Sequence, residues 1–143
     1  MSRSGLVLAA SVLLLSAGSA AAQPAGNAEN GAEVFKKCRA CHMIGEGART
    51  LIGPPQNNLI GRTAGTFPGF SYSALNKAAG EAGLVWNEQT IFDYLPDPNG
   101  YLKKFLTDKG KADQATGSTK MAFKLSDEQD RRDVIAYLKT FSK

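Results

Sequence analysis

Hydrophobic positions along the chain follow a helical period in several stretches. The clearest stretch is at the carboxyl end, where apolar residues recur at helical spacing over residues 134–141. Ser126 and Gln129 precede it in the arrangement of a capping box, and Asp127 and Glu128 suit the first turn. The pattern therefore predicts an amphipathic helix that closes the chain.

Helical spacing predicts shorter helices ahead of this one, at residues 27–39, 71–79, 87–95 and 100–109. Asn27 and Asn87 are suitable N-cap residues for two of them. Pro96 and Pro98 are expected to stop the helix that Asn87 begins, because proline cannot continue a helix. The sequence has no alternating strand pattern and no internal repeat, so the predicted fold class is all-α.

Two stretches lack a helical period. Residues 43–69 are rich in glycine and proline, and irregular segments of this length are uncommon in a compact domain unless they serve a function. Wrapping around a cofactor would be such a function. Residues 109–120 are polar and turn-rich, which predicts a surface loop.

The amino terminus has the layout of a secretory signal peptide. Arg3 precedes an apolar run over residues 6–15, and small residues at 20–22 form the cleavage site. The run is too short for a stable bilayer-spanning helix, although an uncleaved membrane anchor is the alternative. We expect cleavage after Ala22, export to the periplasm, and one mature domain over residues 23–143.

Charge changes this picture little. The formal net charge of the whole sequence is +4, which bears on solubility and on the steering of partners rather than on the fold. Basic residues form no dense run, and no nucleic-acid recognition motif is present. The sequence therefore predicts neither a nucleic-acid partner nor stable insertion into a membrane.

The candidate chemistry is concentrated in Cys38-Arg39-Ala40-Cys41-His42, which contains both cysteines and the only histidine of the chain. This spacing is the attachment signature of c-type haem. The two thiols would bond to the two haem vinyl groups, and His42, held beneath the iron, would ligate it. The expected cofactor is one covalently attached haem c.

The cysteine pair has two alternative uses. A thiol–disulfide oxidoreductase, in which His42 would lower a thiol pKa, needs a βαβ context that the sequence does not show. A structural zinc site needs four protein ligands, whereas the motif supplies three.

Elimination leaves one methionine as a second axial ligand. Of the three methionines, Met1 leaves with the signal peptide and Met43 adjoins His42, so Met121 is the candidate. His/Met ligation favours a raised reduction potential and electron transfer. A vacant or water-bound iron is the alternative, and it would make the protein a small-molecule sensor or an enzyme.

Over residues 27–143 the chain resembles the class I c-type cytochromes, and among them the bacterial cytochromes c2. Beyond the haem motif, the matching stretches occur in the family's order: Gly53-Pro54, Gly61-Arg62, Pro68-Gly69-Phe70-Ser71-Tyr72, Leu84-Val85-Trp86, Tyr94-Leu95, Thr119-Lys120-Met121-Ala122-Phe123 and residues 133–139. The chain departs from the family's pattern at Pro55, and residues 98–121 are longer than in the shortest members.

The resemblance implies a fold of short helices and ordered loops wrapped around one covalently bound haem. The first and last helices of that fold cross closely, here at Gly31, with Phe35 and Tyr137 at the contact. On the methionine side of the haem, Tyr94 would lie near the Met121 sulfur, and Asn76 would join the same internal polar network.

The resemblance also implies cofactor contacts on the histidine side and at the propionates. Pro54 would accept a hydrogen bond from His42 through its backbone carbonyl, which fixes the tautomer of the ring. Tyr72 and Trp86 would bond a buried haem propionate, and Arg62 would offset the propionate charge.

The implied function is that of a soluble periplasmic one-electron carrier and not of an enzyme. Its expected partners are a quinol–cytochrome c oxidoreductase, a terminal oxidase or a photosynthetic reaction centre, and it would act as a monomer. We also expect a ring of basic residues around the haem edge, which would steer docking onto acidic partners. Lys103 and Lys104 could add to this ring, and the alternative is that all these residues are ordinary solvated side chains. The residues expected to form this ring flank the two ligand segments: Lys36, Lys37, Arg39, Lys120 and Lys124.

Overall fold

The computed structural model describes residues 24–143, so the predicted signal peptide lies outside the described residues. The helices of this part are α1 (Ala28–Phe35), α2 (Ala74–Glu81), α3 (Glu88–Tyr94), α4 (Pro98–Asp108) and α5 (Glu128–Lys139), with one 3-10 turn at Ala112–Gln114. None of them is both long enough and apolar enough to cross a bilayer. An isolated antiparallel bridge between Thr63 and Val85 is the only extended pairing among these residues. The all-α prediction is confirmed.

Polar caps begin the helices where the sequence predicted them. The Asn27 side chain accepts a hydrogen bond from the Asn30 amide at 2.9 Å, and the Asn87 side chain accepts one from the Thr90 amide at 2.8 Å. Such caps satisfy backbone donors that have no partner inside the helix. In contrast, the predicted helix at 71–79 begins later, because Ser73 is the cap of α2.

One prediction about a proline and one about a helix cap were wrong. Helix α3 ends at Tyr94, and Pro98 does not stop a helix but is the first residue of α4. The first turn tolerates proline because its missing N–H has no partner there in any case. At α5 the cap is Asp127 and not Ser126: Asp127 accepts from the Asp130 amide at 2.8 Å, while Gln129 donates to Asp133.

Helices α1 and α5 cross at Gly31, as the resemblance implied. A Cβ on Gly31 would lie 1.9 Å from the Asp133 carbonyl oxygen, so the two backbones touch. The ring centroids of Phe35 and Tyr137 are 5.5 Å apart beside this contact, and the Asn27 amide donates to the Asp133 carboxylate at 2.7 Å. The crossing holds the end of α1, from which the chain continues to the haem motif.

A further layer of the same apolar core lies where α2 and α4 meet. Helices α2 and α4 pack together, and the fully buried side chains there include Leu75, Leu84, Leu102 and Leu106. Burial of a leucine stabilises a fold by about 1.5–3 kcal/mol. This layer supports α2 and α3, which supply polar side chains to the functional site.

Candidate functional site

An apolar cleft of about 300 Å³ lies between the helices and the irregular segments. Its walls come from α1, α2, α3 and α5, from residues 52–73 and from residues 119–123. Every residue that the sequence predicted to bind the cofactor or to ligate its iron lines this cleft. The long irregular segment therefore wraps a cavity, as its length and composition indicated.

Tight turns after α1 present the haem motif to the cleft. The amides of Cys41 and His42 both donate to the Cys38 carbonyl oxygen, at 3.0 and 2.9 Å, and the two thiols are not bonded to each other. Burial raises the pKa of the Cys38 thiol to about 11. Redox-active cysteine pairs have lowered thiol pKa values, so the burial of Cys38, which shifts its pKa the other way, argues against a thiol–disulfide oxidoreductase.

The His42 ring is held by contacts with residues 53 and 54. Its Nδ1 lies 2.8 Å from the Pro54 carbonyl oxygen, so Pro55 does not turn that carbonyl away. A Cβ on Gly53 would lie 2.3 Å from His42 Cε1, so only glycine fits against the ring. Burial lowers the pKa of His42, although the Pro54 hydrogen bond opposes the shift. The imidazole is therefore neutral at pH 7, and a nitrogen lone pair is available for a metal.

Met121 lies in an irregular segment that forms hydrogen bonds with two helices. The Tyr94 hydroxyl of α3 donates to Met121 Sδ at 3.6 Å, and burial raises the pKa of Tyr94 to about 12, which keeps its proton in place. Thr119 donates to Asn76 of α2 at 3.0 Å and accepts from the Met121 amide at 3.3 Å. Trp86 packs edge-on against Tyr94, with ring centroids 4.8 Å apart.

A half-buried cation lies where residues 55–72 line the cleft. Arg62 donates to the carbonyl oxygens of Pro55 and Asn57, at 3.1 and 2.5 Å, and no carboxylate of residues 24–143 forms an ion pair with it. Burial lowers the pKa of Arg62, and nearby Tyr72 opposes this shift. The Tyr72 hydroxyl accepts from the Phe67 amide at 3.3 Å. This region suits an acidic group on a ligand, because it offers a positive charge without an internal counter-ion.

The family model for cytochrome c matches residues 28–142. The chain belongs to the cytochrome c family. It is 61% identical to cytochrome c2 iso-2 of Rhodospirillum centenum over 117 residues, which cover 82% of this chain and 97% of that relative. Identity to a cytochrome c2 of Rhodopseudomonas palustris is 58% over 114 residues, covering 80% and 97% of the two chains.

A solved structure agrees with this assignment. The cytochrome c2 structure from Rhodospirillum centenum superposes with a TM-score of 0.82 at 60% identity, and the match covers 82% of this chain and 100% of that one. The resemblance to the class I cytochromes, and in particular to cytochromes c2, is therefore confirmed. The chain is an electron-transfer protein and not an enzyme.

Members of the cytochrome c family carry one covalently attached haem c, and so does this chain. The residues present fit that group. Cys38 and Cys41 offer two free thiols, His42 offers a neutral imidazole, and the lining of the cleft is mainly apolar. Arg62 supplies a charge that a haem propionate would balance.

The basic residues predicted to surround the haem edge are not alike. Lys37 and Lys120 line the cleft, and Lys120 lies over the Phe70 ring at 5.6 Å. Lys37 pairs with Asp130 at 2.7 Å, Lys36 with Glu33 at 2.5 Å and Lys124 with Asp97 at 2.9 Å, whereas Arg39 is exposed. These pairs are at the surface, where an ion pair contributes little and is screened by salt, so the docking role stays a prediction.

Sequence reasoning missed several residues of the cleft, among them Ile52, Gln56 and Phe123. Ile52 and Phe123 line it and yet are 69% and 40% exposed. Gln56 is buried, with its side-chain nitrogen 2.8 Å from His42 Nδ1. Ile52 and Phe123 adjoin the segments that hold the two ligands, and this position was a signal that they line the cleft. Nothing in the sequence spacing distinguishes Gln56 from a surface glutamine.

Proposed function

We propose that the chain is a soluble periplasmic one-electron carrier, exported with cleavage after Ala22, whose haem iron is ligated by His42 and Met121. The observation that carries the proposal is that these two side chains line the same cleft, each held by a hydrogen-bonding partner. Pro54 lies 2.8 Å from His42 Nδ1, and Tyr94 donates to Met121 Sδ at 3.6 Å. When bound, the haem iron supplies the reversible gain and loss of one electron.

The chain's own residues would hold the cofactor in place during this exchange. Cys38 and Cys41 would tether the cofactor, and the Pro54 carbonyl keeps the His42 proton on Nδ1, which would leave Nε2 free to ligate the metal. Apolar side chains around the cleft exclude water.

Arg62, Tyr72 and Trp86 would hold the propionate end of the cofactor. All three line the cleft, and the unpaired charge of Arg62 supports a carboxylate nearby. Ile52 and Phe123 give the site a partly exposed apolar edge. That edge, with Lys37 and Lys120 beside it, suits an acidic redox partner such as a quinol–cytochrome c oxidoreductase, a terminal oxidase or a photosynthetic reaction centre.

The optical spectrum of the oxidised holoprotein tests the ligation. We expect the weak near-infrared charge-transfer band of sulfur-ligated ferric haem at neutral pH, together with a mass equal to the mature chain plus one haem. The competing open-iron protein would lack the band and bind small ligands at once. A colourless chain with the mass of its amino acids alone would contradict the whole assignment.

A pair of charge reversals tests the docking surface. Lys120→Glu should slow the bimolecular electron transfer to an acidic partner by about threefold at low ionic strength, because steering depends on charge near the contact. Lys139→Glu is the matched control: Lys139 pairs with Glu88 at 2.7 Å, does not line the cleft, and gives the same change in net charge. Stopped-flow rates against salt concentration provide the measurement. Equal slowing by both variants would show that net charge alone matters.

A further inference from the structure

The side chain of Gln56 is placed against the histidine of the haem motif. Gln56 is only 9% exposed, and its Nε2 lies 2.8 Å from the Pro54 carbonyl oxygen and 2.8 Å from His42 Nδ1. Its backbone is fixed as well, because its amide donates to Met43 at 2.9 Å and its carbonyl accepts from Leu59 at 3.1 Å. The amide is therefore held at this position by the loop.

The Pro54 carbonyl oxygen is shared as an acceptor by two donors, His42 Nδ1 and Gln56 Nε2. A histidine that binds metal through Nε2 carries its proton on Nδ1, so His42 donates to Pro54. The Gln56 NH₂ group is also a donor, so its 2.8 Å contact with the protonated His42 Nδ1 is not a hydrogen bond. A carbonyl oxygen has two lone pairs, and Pro54 accepts from both groups. Each of these two hydrogen bonds is then weaker than a hydrogen bond to an unshared carbonyl oxygen.

Sharing of the Pro54 carbonyl would change how strongly His42 donates electron density to the iron. A strong hydrogen bond from Nδ1 makes the imidazole a better electron donor and favours the oxidised metal. Sharing the Pro54 carbonyl weakens that effect on His42. The amide hydrogens of Gln56, which carry partial positive charge, also lie beside the ring and disfavour additional positive charge on the metal. Both effects favour the reduced state.

We propose that Gln56 is a positioning residue that acts through Pro54 and His42 to raise the reduction potential of the protein. The proposal deepens the proposed function and rests on its assignment of His42 as an axial ligand. The alternative is a merely structural amide, which would stabilise the loop without affecting the redox equilibrium.

Voltammetry of the holoprotein with Gln56→Met tests the proposal, because methionine has a similar length and no amide. We expect the equilibrium constant for reduction to fall by about fivefold, the size of effect that one hydrogen bond has on an equilibrium. For one electron this is about 40 mV, since a tenfold change corresponds to about 59 mV. An unchanged or raised potential would overturn the proposal.

Asn57→Ala is the matched control. Asn57 is in the same loop and exchanges two hydrogen bonds with the Gly45 backbone, both at 2.9 Å, but the structure gives it no bond to His42. It should lower stability and leave the potential within the error of the measurement. If both variants shift the potential equally, loosening of the loop is the cause and the role assigned to Gln56 is wrong.

A measurement on the unmutated protein keeps the test independent of folding. In ¹⁵N NMR spectra one Gln56 side-chain amide proton should exchange slowly with solvent, and its shift should differ between the ferric and ferrous states. Rapid exchange with no redox dependence would contradict the proposal. The near-infrared band distinguishes failure of the proposed ligation from failure of the role assigned to Gln56. Absence of the band from the parent protein refutes the ligation. An intact band together with an unchanged potential in Gln56→Met refutes only the role of Gln56.

Discussion

Replacement of Met121 by alanine is expected to abolish the near-infrared band and to lower the reduction potential by about 0.2 V. Axial ligands set haem potentials over a range of about 0.8 V, and loss of a thioether removes the ligand that favours the reduced iron. The hydrogen bond from Tyr94 to Met121 Sδ disappears as well. The variant should bind added imidazole or cyanide far more readily than the parent, as followed by optical titration.

Met43→Ala provides the control for this experiment. Met43 is the other methionine of the predicted mature chain, adjoins His42 in sequence and contributes no side chain to the cleft. Its replacement should preserve the band and the potential. If Met121→Ala retained the band, the sulfur ligand would have to be another group, and the proposed ligation would be wrong.

The haem motif was predictable because its chemistry is local. Two thiols and an imidazole at fixed spacing occupy adjacent turns, and the Cys38 carbonyl accepts hydrogen bonds from the amides of Cys41 and His42. Helix starts at Asn27 and Asn87 were predictable for the same reason, since a cap bonds to an amide three residues away. Features that depend on a few neighbouring residues can be read from sequence by physical argument alone.

The cap of α5 shows where local reasoning fails. Ser126 with Gln129 and Asp127 with Asp130 are both acceptable caps in adjacent registers. The tertiary structure selects the second, because Gln129 donates to Asp133 at 2.8 Å, and Asp133 also accepts from the Asn27 amide at the start of α1. A residue more than a hundred positions away thus contributes to where the helix begins.

The rest of the site depends on contacts between distant segments. Tyr94 and Met121 are 27 positions apart, and Asn76 and Thr119 are 43 apart. No periodicity predicts these pairs, and only the family resemblance implied that Tyr94 and Asn76 belong with Met121. Gln56 was missed because family patterns describe what relatives share, whereas its contact with His42 depends on the folded loop.

Replacement of Gly31 by alanine is expected to destabilise the holoprotein by about 2–3 kcal/mol. Alanine is a better helix former than glycine by about 1 kcal/mol, so propensity alone predicts the opposite sign. The added Cβ would lie 1.9 Å from the Asp133 carbonyl oxygen and 2.8 Å from Tyr137 Cβ. Backbone atoms cannot rotate away as a side chain can, so α1 and α5 must move apart, and overpacking of this kind typically costs about 1–3 kcal/mol and occasionally more.

Denaturant unfolding of Gly31→Ala and of Ala32→Gly separates the two effects. Ala32→Gly changes helix propensity at the next position of α1 and should cost about 1 kcal/mol. Greater stability of Gly31→Ala than of the parent would show that the crossing has room for a methyl group. Moving α1 away from α5 should also displace the haem motif, because α1 ends at Phe35, three positions before Cys38. A reduced yield of haem-loaded Gly31→Ala, with normal yield of Ala32→Gly, would therefore link the crossing to cofactor attachment.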